Sequence, residues 1–274
     1  MVNQPLIELS DGNRIPQLGL GVWQASPVEA RTAVRHALEV GYRHVDTASI
    51  YGNEEGVGAG IRDAALPRSK IFITTKVWNA DQGYEKSLRA IDESLGRLKM
   101  DYVDLLLIHW PAPDKGLFLE TWQALIEARM TGKTRSIGVS NFTKGQLDEL
   151  VGSSGVKPVL NQIELHPFFS QGAMKHAHFQ LGIKTESWSP LGQGEALSNT
   201  VIQQIAAKHN RTAAQVIIKW HLDQGLIAIP KSVTPSRISE NIRVFDFELP
   251  LEDLHLINEL NQYRRLGPDP ENFP

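Results

Sequence analysis

Eight short apolar runs recur along the chain and alternate with longer stretches of helical periodicity. The runs are rich in Val, Ile and Leu, as strands are when both faces of their sheet are covered. They span residues 18–23, 44–47, 70–78, 102–110, 135–141, 159–165, 183–190 and 226–232. Eight strand–helix units predict an α/β fold, a closed (β/α)8 TIM barrel, with an open doubly wound sheet as the alternative.

The stretches between the runs carry helix signals. Pro27–Val40 is the clearest, because it starts with proline after Ser26, a good capping residue, and stops at Gly41. Similar patterns predict helices at residues 84–98, 117–130, 144–151, 171–181 and 200–209, and two extra C-terminal helices at 235–241 and 251–260. The Asp-Gly-Asn sequence at 11–13 predicts an N-terminal β-hairpin outside the alternation. No linker interrupts the pattern, so residues 1–274 are predicted to form a single domain.

Composition excludes several classes of protein. The 274 residues include 28 Lys and Arg, 31 Asp and Glu and no Cys, for a net charge of −3. This balance is not the basic footprint of a nucleic-acid or membrane-surface binder, and the lack of Cys excludes disulfides and thiolate zinc sites. The chain shows neither a signal peptide nor an apolar run of membrane-spanning length. We expect a cytoplasmic monomer with no nucleic-acid partner, no membrane and no metal.

The short phosphate-binding motifs are incomplete. Gly19 and Gly21, like Gly192 and Gly194, lack the third glycine of a Rossmann fingerprint, and residues 127–134 lack the first glycine of a P-loop. Neither HExxH nor GxSxG occurs. A dinucleotide would therefore need a different anion site.

Three consecutive predicted strands end near an ionisable residue. Asp46, Lys76 and His109 take these places, and Tyr51 lies in the loop after Asp46. The carboxyl ends of the strands form the catalytic face of a parallel barrel. Taken singly, each residue also has a structural explanation, such as an ion pair, a core histidine or a packed ring. Together, on adjacent strands, they predict a catalytic group.

Three longer patterns support this prediction. Residues 41–54 (GYRHVDTASIYGNE), 133–142 (KTRSIGVSNF) and 229–241 (IPKSVTPSRISEN) resemble, in order, three signatures of the aldo-keto reductases. The resemblance extends from residue 11 to the C-terminal tail. It implies a (β/α)8 barrel that reduces aldehydes and ketones to alcohols with NADPH.

The same resemblance implies a catalytic tetrad of Asp46, Tyr51, Lys76 and His109. Hydride addition to a carbonyl creates an alkoxide that needs a proton, and Tyr51 is the expected general acid although a free tyrosine has a pKa of about 10. The Lys76 ammonium, held by Asp46, is expected to lower the pKa of Tyr51. His109 is expected to donate a hydrogen bond to the substrate carbonyl.

The third signature offers an anion site for the cofactor. Lys231 and Arg237 supply two cations, and a hydroxyl cap with Pro235 predicts a helix start whose free N–H groups favour a phosphate. Two cations suit the 2′-phosphate of NADPH. The alternative is an ordinary capped surface helix with two solvated basic residues, and the resemblance favours the cofactor.

The resemblance also implies the remaining cofactor contacts. Ser140, Asn141 and Gln162 match residues that bind the nicotinamide carboxamide, and Trp188 matches an aromatic residue that stacks on the nicotinamide ring. The other expected contacts are Ser189, Leu191, Gln193, Gly194, Ser232, Val233, Glu240 and Asn241. The loop after Trp188 is short, which predicts a reduced flap over the cofactor.

Tryptophans at strand ends predict the substrate pocket. Trp23, Trp78 and Trp110 follow predicted strands and, with His109, would line an apolar mouth for a small ligand. Trp122 and Trp220 lie in helical patterns and are expected to be structural.

Within the family, the chain resembles most closely the bacterial 2,5-diketo-D-gluconate reductases, which form 2-keto-L-gulonate. This implies the same substrate, with further activity on methylglyoxal and β-keto esters. One alternative is a nucleotide-binding regulatory subunit of the same fold without significant turnover. Another is a metal-dependent barrel hydrolase, for which only Asp46 and His109 are obvious ligands.

Overall fold

Eight parallel strands form a closed barrel at the centre of the structure, a computed structural model that describes residues 4–274. Each strand pairs with its neighbours in chain order. The strands are β3 Leu20–Gly21, β4 His44–Asp46, β5 Phe72–Val77, β6 Val103–Ile108, β7 Thr134–Ser140, β8 Leu160–Glu164, β9 Lys184–Trp188 and β10 Ile227–Ala228. Parallel bridges from Leu18 to Ala228 and from Gly21 to Lys231 close the ring. The predicted (β/α)8 barrel is confirmed.

The seam between the first and last strands needs glycine. The amide of Gly19 donates to the carbonyl of Ala228 at 2.9 Å. A Cβ at Gly19 would lie 2.6 Å from Nδ1 of His44, so no larger residue fits there without a shift. β10 is shorter than predicted because Pro230 has no N–H to continue the ladder.

Within residues 4–274, ten α-helices surround the barrel and follow its strands. They are α1 Pro27–Val40, α2 Glu54–Asp63, α3 Tyr84–Leu98, α4 Phe118–Met130, α5 Lys144–Ser154, α6 Gly172–Leu181, α7 Thr200–Lys208, α8 Ala213–Asp223, α9 Pro235–Asn241 and α10 Leu251–Asn258. In α1, Ser26 caps the helix and shares a capping box with Glu29, as its sequence indicates. Trp122 and Trp220 are fully buried in the helical layer, as expected.

Helices α2 and α8 were not among the helices predicted from the sequence. Gly56, Gly58 and Gly60 lower the intrinsic helix propensity of α2, yet they allow it to pack closely, because a Cβ at Gly60 would lie 2.5 Å from the carbonyl of Arg31 in α1. Packing therefore stabilises a helix that propensity does not predict. For α8 the signal was present, since Thr212 and Gln215 form a capping box.

The predicted N-terminal hairpin is present, and it covers the amino ends of the barrel strands. Strands β1 Leu6–Glu8 and β2 Arg14–Pro16 pair antiparallel around the turn at 11–13. Buried Leu9 and Ile15 pack with apolar residues in the barrel interior near the amino ends of the strands. The open end is therefore the opposite one, where the strands have their carboxyl ends.

Candidate active site

A cavity of about 470 Å³ opens at the carboxyl ends of the strands and collects most of the predicted site residues. Of the proposed tetrad, Asp46, Tyr51 and His109 line it, and Lys76 lies beneath, 1% exposed. Among the expected cofactor and substrate contacts, the lining includes Ser140, Asn141, Gln162, Trp188, Ser189, Gln193, Lys231, Trp23, Trp78 and Trp110. Residues from strands far apart in sequence thus meet at one face.

A buried ion pair lies under the cavity floor. Nζ of Lys76 donates to Oδ1 of Asp46 at 2.6 Å and to the carbonyl of Thr47 at 2.9 Å. Burial lowers the pKa of Lys76, but the negative charges around it, that of the bonded Asp46 carboxylate first, raise it, so its pKa lies above the ordinary value. Lys76 is therefore an ammonium at neutral pH.

Tyr51 lies directly above this pair. It ends a short 3-10 helix after β4, and Nζ of Lys76 is 5.3 Å from the centre of its ring. Burial raises the pKa of Tyr51, and the Lys76 charge lowers it by less. The expected effect of Lys76 is present, but desolvation outweighs it, so the pKa of Tyr51 lies above its ordinary value. Tyr51 consequently keeps its proton at neutral pH.

His109 faces Tyr51 across the cavity. Its ring lies 5.6 Å from that of Tyr51 and 5.1 Å from that of Trp78, both edge to face. Burial, with the Lys76 charge, holds the pKa of His109 well below its usual value, so the imidazole is neutral. Nδ1 is buried without a partner among the described residues, which leaves Nε2 on the cavity side.

Hydrogen bonds hold the polar wall next to Trp188 in place. Nδ2 of Asn141 donates to the carbonyl of His109 and to Oγ of Ser140, both at 3.0 Å, and Oγ of Ser140 donates to the carbonyl of Gln162 at 2.8 Å. Nε1 of Trp188 donates to Oδ1 of Asn141 at 2.8 Å. Asn141 adopts a left-handed backbone conformation (φ 64°), which suits asparagine better than most residues. The indole ring is therefore held at a defined angle to the cavity.

The predicted phosphate segment begins at the cavity rim. Lys231 lines the cavity, whereas Arg237 is exposed on α9, outside it, and neither forms an ion pair within the described residues. The predicted hydroxyl cap is wrong: Thr234 makes no side-chain cap bond to α9, while Oγ of Ser232 accepts from the amide of Thr234 at 3.2 Å. The carboxylate of Glu240 accepts from the hydroxyl of Thr212 at 2.8 Å.

The remaining expected cofactor contacts lie outside the cavity itself. They continue from its lining along the loop after β9 and along the segment after β10, and they are Leu191, Gly194, Ser232, Val233, Glu240 and Asn241. The loop after β9 forms short 3-10 turns within Gly192–Ser198, interrupted at Gln193 and Gly194, whose φ angles are 53° and 97°.

A C-terminal segment, residues 262–274, forms a cavity wall that the sequence analysis missed. Phe273 packs against Trp110 at 4.5 Å and Trp78 at 6.1 Å between ring centres, and Gly267 and Pro268 also line the cavity. This segment has no periodic pattern that would place it.

A buried carboxylate anchors that C-terminal segment. Glu164 accepts from the amides of Leu266 at 2.6 Å and Gly267 at 2.9 Å, and it pairs with His166 at 3.0 Å. Arg264 also pairs with Glu195 in the loop after β9. In the sequence, Glu164 is only a glutamate near the end of a predicted strand, and this position does not reveal that it contacts the C-terminal segment.

Known proteins are similar to this chain in both fold and sequence. A profile described as the aldo/keto reductase family matches residues 17–262. The chain belongs to the aldo-keto reductase family. Methylglyoxal reductase DkgA of Escherichia coli is 50% identical over 275 residues, covering 100% of this chain and 99% of the relative. A crystal structure of an aldo/keto reductase from Brucella melitensis is 54% identical, covers 94% of this chain and 100% of that chain, and has a TM-score of 0.92.

A further solved structure bears on the cofactor. A mutant of the protein Gox0644 in complex with NADPH is 48% identical, with 99% of each chain covered and a TM-score of 0.95. As a member of the aldo-keto reductase family, this chain is an oxidoreductase. Its residues fit that cofactor: Lys231 and Arg237 are cations without a carboxylate partner in the described chain, and Trp188 presents an aromatic ring to the cavity. Across residues 4–274, no helix combines the length and apolarity that crossing a bilayer requires.

Proposed function

We propose that this reductase acts on small uncharged aldehydes and ketones, with methylglyoxal and β-keto esters preferred to the sugar acid 2,5-diketo-D-gluconate. One observation carries the choice. In the described chain, Lys231 is the only Lys or Arg among the cavity-lining residues, and it lies in the predicted phosphate segment. The walls near Tyr51 and His109 are instead formed by Trp78, Trp110 and Phe273. A carboxylate substrate would find no cation there to replace its lost hydration. The Escherichia coli relative bears the name methylglyoxal reductase.

The tetrad performs the proton chemistry in this proposal. Bound NADPH would supply the hydride for the carbonyl carbon. Tyr51 donates its hydroxyl proton to the carbonyl oxygen as negative charge develops there. Lys76, kept charged by Asp46, stabilises the phenolate left behind until solvent returns the proton. His109, a neutral imidazole, donates from Nε2 to the same oxygen and sets its angle.

The other assigned residues orient the cofactor. Trp188 would stack on the nicotinamide, and Ser140, Asn141 and Gln162 lie beside it, where a carboxamide would find polar partners. Lys231 and Arg237 would bind the 2′-phosphate. We also propose a monomer with a single domain over residues 1–274. A cytoplasmic location is in keeping with its lack of cysteine.

A steady-state assay of NADPH consumption tests the proposal. The panel is methylglyoxal, a β-keto ester, benzaldehyde and 2,5-diketo-D-gluconate, each also run with NADH. We expect the highest kcat/KM with methylglyoxal or the β-keto ester and the lowest with the sugar acid. A sugar acid at the top of the ranking would contradict the substrate proposal. NADPH binding without turnover on the whole panel would show that the substrate class is wrong.

A further inference from the structure

Two buried carboxyl groups share one amide in the barrel interior. Nε2 of Gln162 donates to Oδ2 of Asp46 and to Oε2 of Glu186, each at 2.8 Å. Gln162 and Glu186 are cross-strand partners in the β8–β9 register. An amide NH2 has only two hydrogens, so both are used in these bonds. The Gln162 side chain is thus held from two sides.

This arrangement determines what Gln162 can offer a ligand. Its remaining polar atom, Oε1, has no hydrogen-bond partner among the described residues, and Gln162 lines the cavity. With its donors used, the side chain can only accept a hydrogen bond there. An amide N–H2 group, such as that of a nicotinamide carboxamide, is the matching donor.

The charges around Glu186 indicate its protonation state. Glu186 is fully buried, and the groups that face it are His44 and Asp46 on β4, Lys76 on β5 and Gln162 on β8. Lys76 is bonded to Asp46, and Oε1 of Glu186 is 3.7 Å from Nε2 of His44. Burial lowers the pKa of His44 to about 3, so it supplies no counter-charge. Burial, then the Asp46 charge, raises the pKa of Glu186 to about 8, so it is protonated at neutral pH.

We propose that Glu186 is a positioning residue for reduction: its uncharged carboxyl group fixes the Gln162 amide, which steadies Asp46 against Lys76 and presents one acceptor oxygen to the cofactor. The proposal rests on the roles assigned to Asp46, Lys76 and the cofactor cavity under the proposed function. Glu186 itself touches neither substrate nor cofactor.

Two substitutions at this position separate shape from hydrogen bonding. Glu186→Gln keeps an acceptor for Gln162 and cannot ionise, so kcat and the Kd for NADPH should stay within about twofold of wild type. Glu186→Leu removes the acceptor and should raise the NADPH Kd, measured by quenching of tryptophan fluorescence, by about tenfold. Wild-type Kd and kcat in Glu186→Leu would overturn the proposal. So would a loss in Glu186→Gln as large as that in Glu186→Leu.

A double-mutant cycle tests whether Glu186 acts through Gln162. Gln162→Leu alone should also raise the NADPH Kd by about tenfold. If both residues belong to one unit, the double variant should show about the same tenfold loss rather than the hundredfold product. Additive losses would mean that Glu186 affects the cofactor by a different route. Tyr51→Phe is the parallel control: its activity reports on the proposed function, while the NADPH cycle reports on Glu186.

The pH dependence of stability provides a test without cofactor. A glutamate whose pKa is about 8 when folded and 4.5 when unfolded stabilises the fold fully below the unfolded value and loses that contribution as the pH rises to about 8. The melting temperature of wild type should therefore fall more between about pH 5.5 and 8 than that of Glu186→Gln. Glu54→Gln is the matched control, since it removes another buried carboxyl group, paired with Arg97, and leaves Glu186 in place. Equal slopes in wild type and Glu186→Gln would overturn the protonated state.

Discussion

The two ends of this barrel each carry a buried carboxylate with cations, yet only one end is built for chemistry. At the carboxyl ends, Asp46 pairs with Lys76 at 2.6 Å, and both side chains are sealed from water. At the amino ends, Asp104 pairs with Arg68 at 2.7 Å and lies 3.7 Å from Arg135. The two clusters share the same type of charge pair.

What differs is what surrounds each pair. The guanidinium carbons of Arg68 and Arg135 lie 4.2 and 4.4 Å from the ring centre of Tyr102, and the two side chains remain 24% and 49% exposed. Asp104 also accepts the amide of Ile73 at 3.0 Å. Lys76 instead lies, wholly buried, beneath Tyr51, next to an open cavity. A charge has strong effects where water is excluded and a reacting group is near.

The largest expected effect is the difference in kcat between substitutions at Tyr51 and at Tyr102. Tyr51→Phe removes the proposed acid and keeps the ring, so kcat should fall at least about 100-fold while NADPH still binds. Tyr102→Phe removes only the hydroxyl that accepts from Arg135 and should leave kcat unchanged. Both are measured with the best substrate of the panel. If Tyr51→Phe retains wild-type kcat, another group is the acid.

The second largest effect is expected in the free energy of unfolding, when the two cations Lys76 and Arg68 are each replaced. Lys76→Met leaves the Asp46 carboxylate buried without its counter-charge, which should cost about 3–5 kcal/mol in the free energy of unfolding. Arg68→Met acts on a partly exposed pair and should cost about 1 kcal/mol or less. Urea titration of both variants gives the comparison. Equal losses would show that solvent exposure does not distinguish the clusters.

Cofactor selectivity concerns the carboxyl end alone. Arg237→Ala removes a cation from the proposed 2′-phosphate site, so the KM for NADPH should rise by about tenfold and that for NADH by much less. Arg135→Ala, at the opposite end, is the control and should alter neither KM. An equal rise for both cofactors would remove Arg237 from the 2′-phosphate site.

The smallest effect is expected at Asp104. Burial raises the pKa of Asp104 although Arg68 and Arg135 oppose it, so folding disfavours its ionised form. Asp104→Asn keeps an acceptor for Ile73 and should change the free energy of unfolding by about 1 kcal/mol or less, with kcat unchanged. A large loss of activity would mean that the Asp104 cluster at the amino ends of the strands is coupled to the active site.

The sequence predicts much of the fold because the apolar runs of strands and the spacing of apolar residues in helices are both local patterns. All eight barrel strands, the hairpin and most helices were anticipated from apolar runs and capping residues. The missed α2 shows the limit, since its three glycines argue against a helix that close packing nevertheless stabilises. The C-terminal wall was missed for a related reason: its position depends on Glu164, about a hundred residues earlier in the chain.

Local patterns along the chain establish the class of fold and the residue types at the strand ends, because alternation and strand placement are properties of neighbouring residues. How those residues interact depends on tertiary packing. It placed Gln162 between Asp46 and Glu186, set Tyr51 in a site where burial outweighs Lys76, and brought Phe273 to the cavity. These outcomes depend on distances and on exclusion of water, which arise only when distant segments pack together.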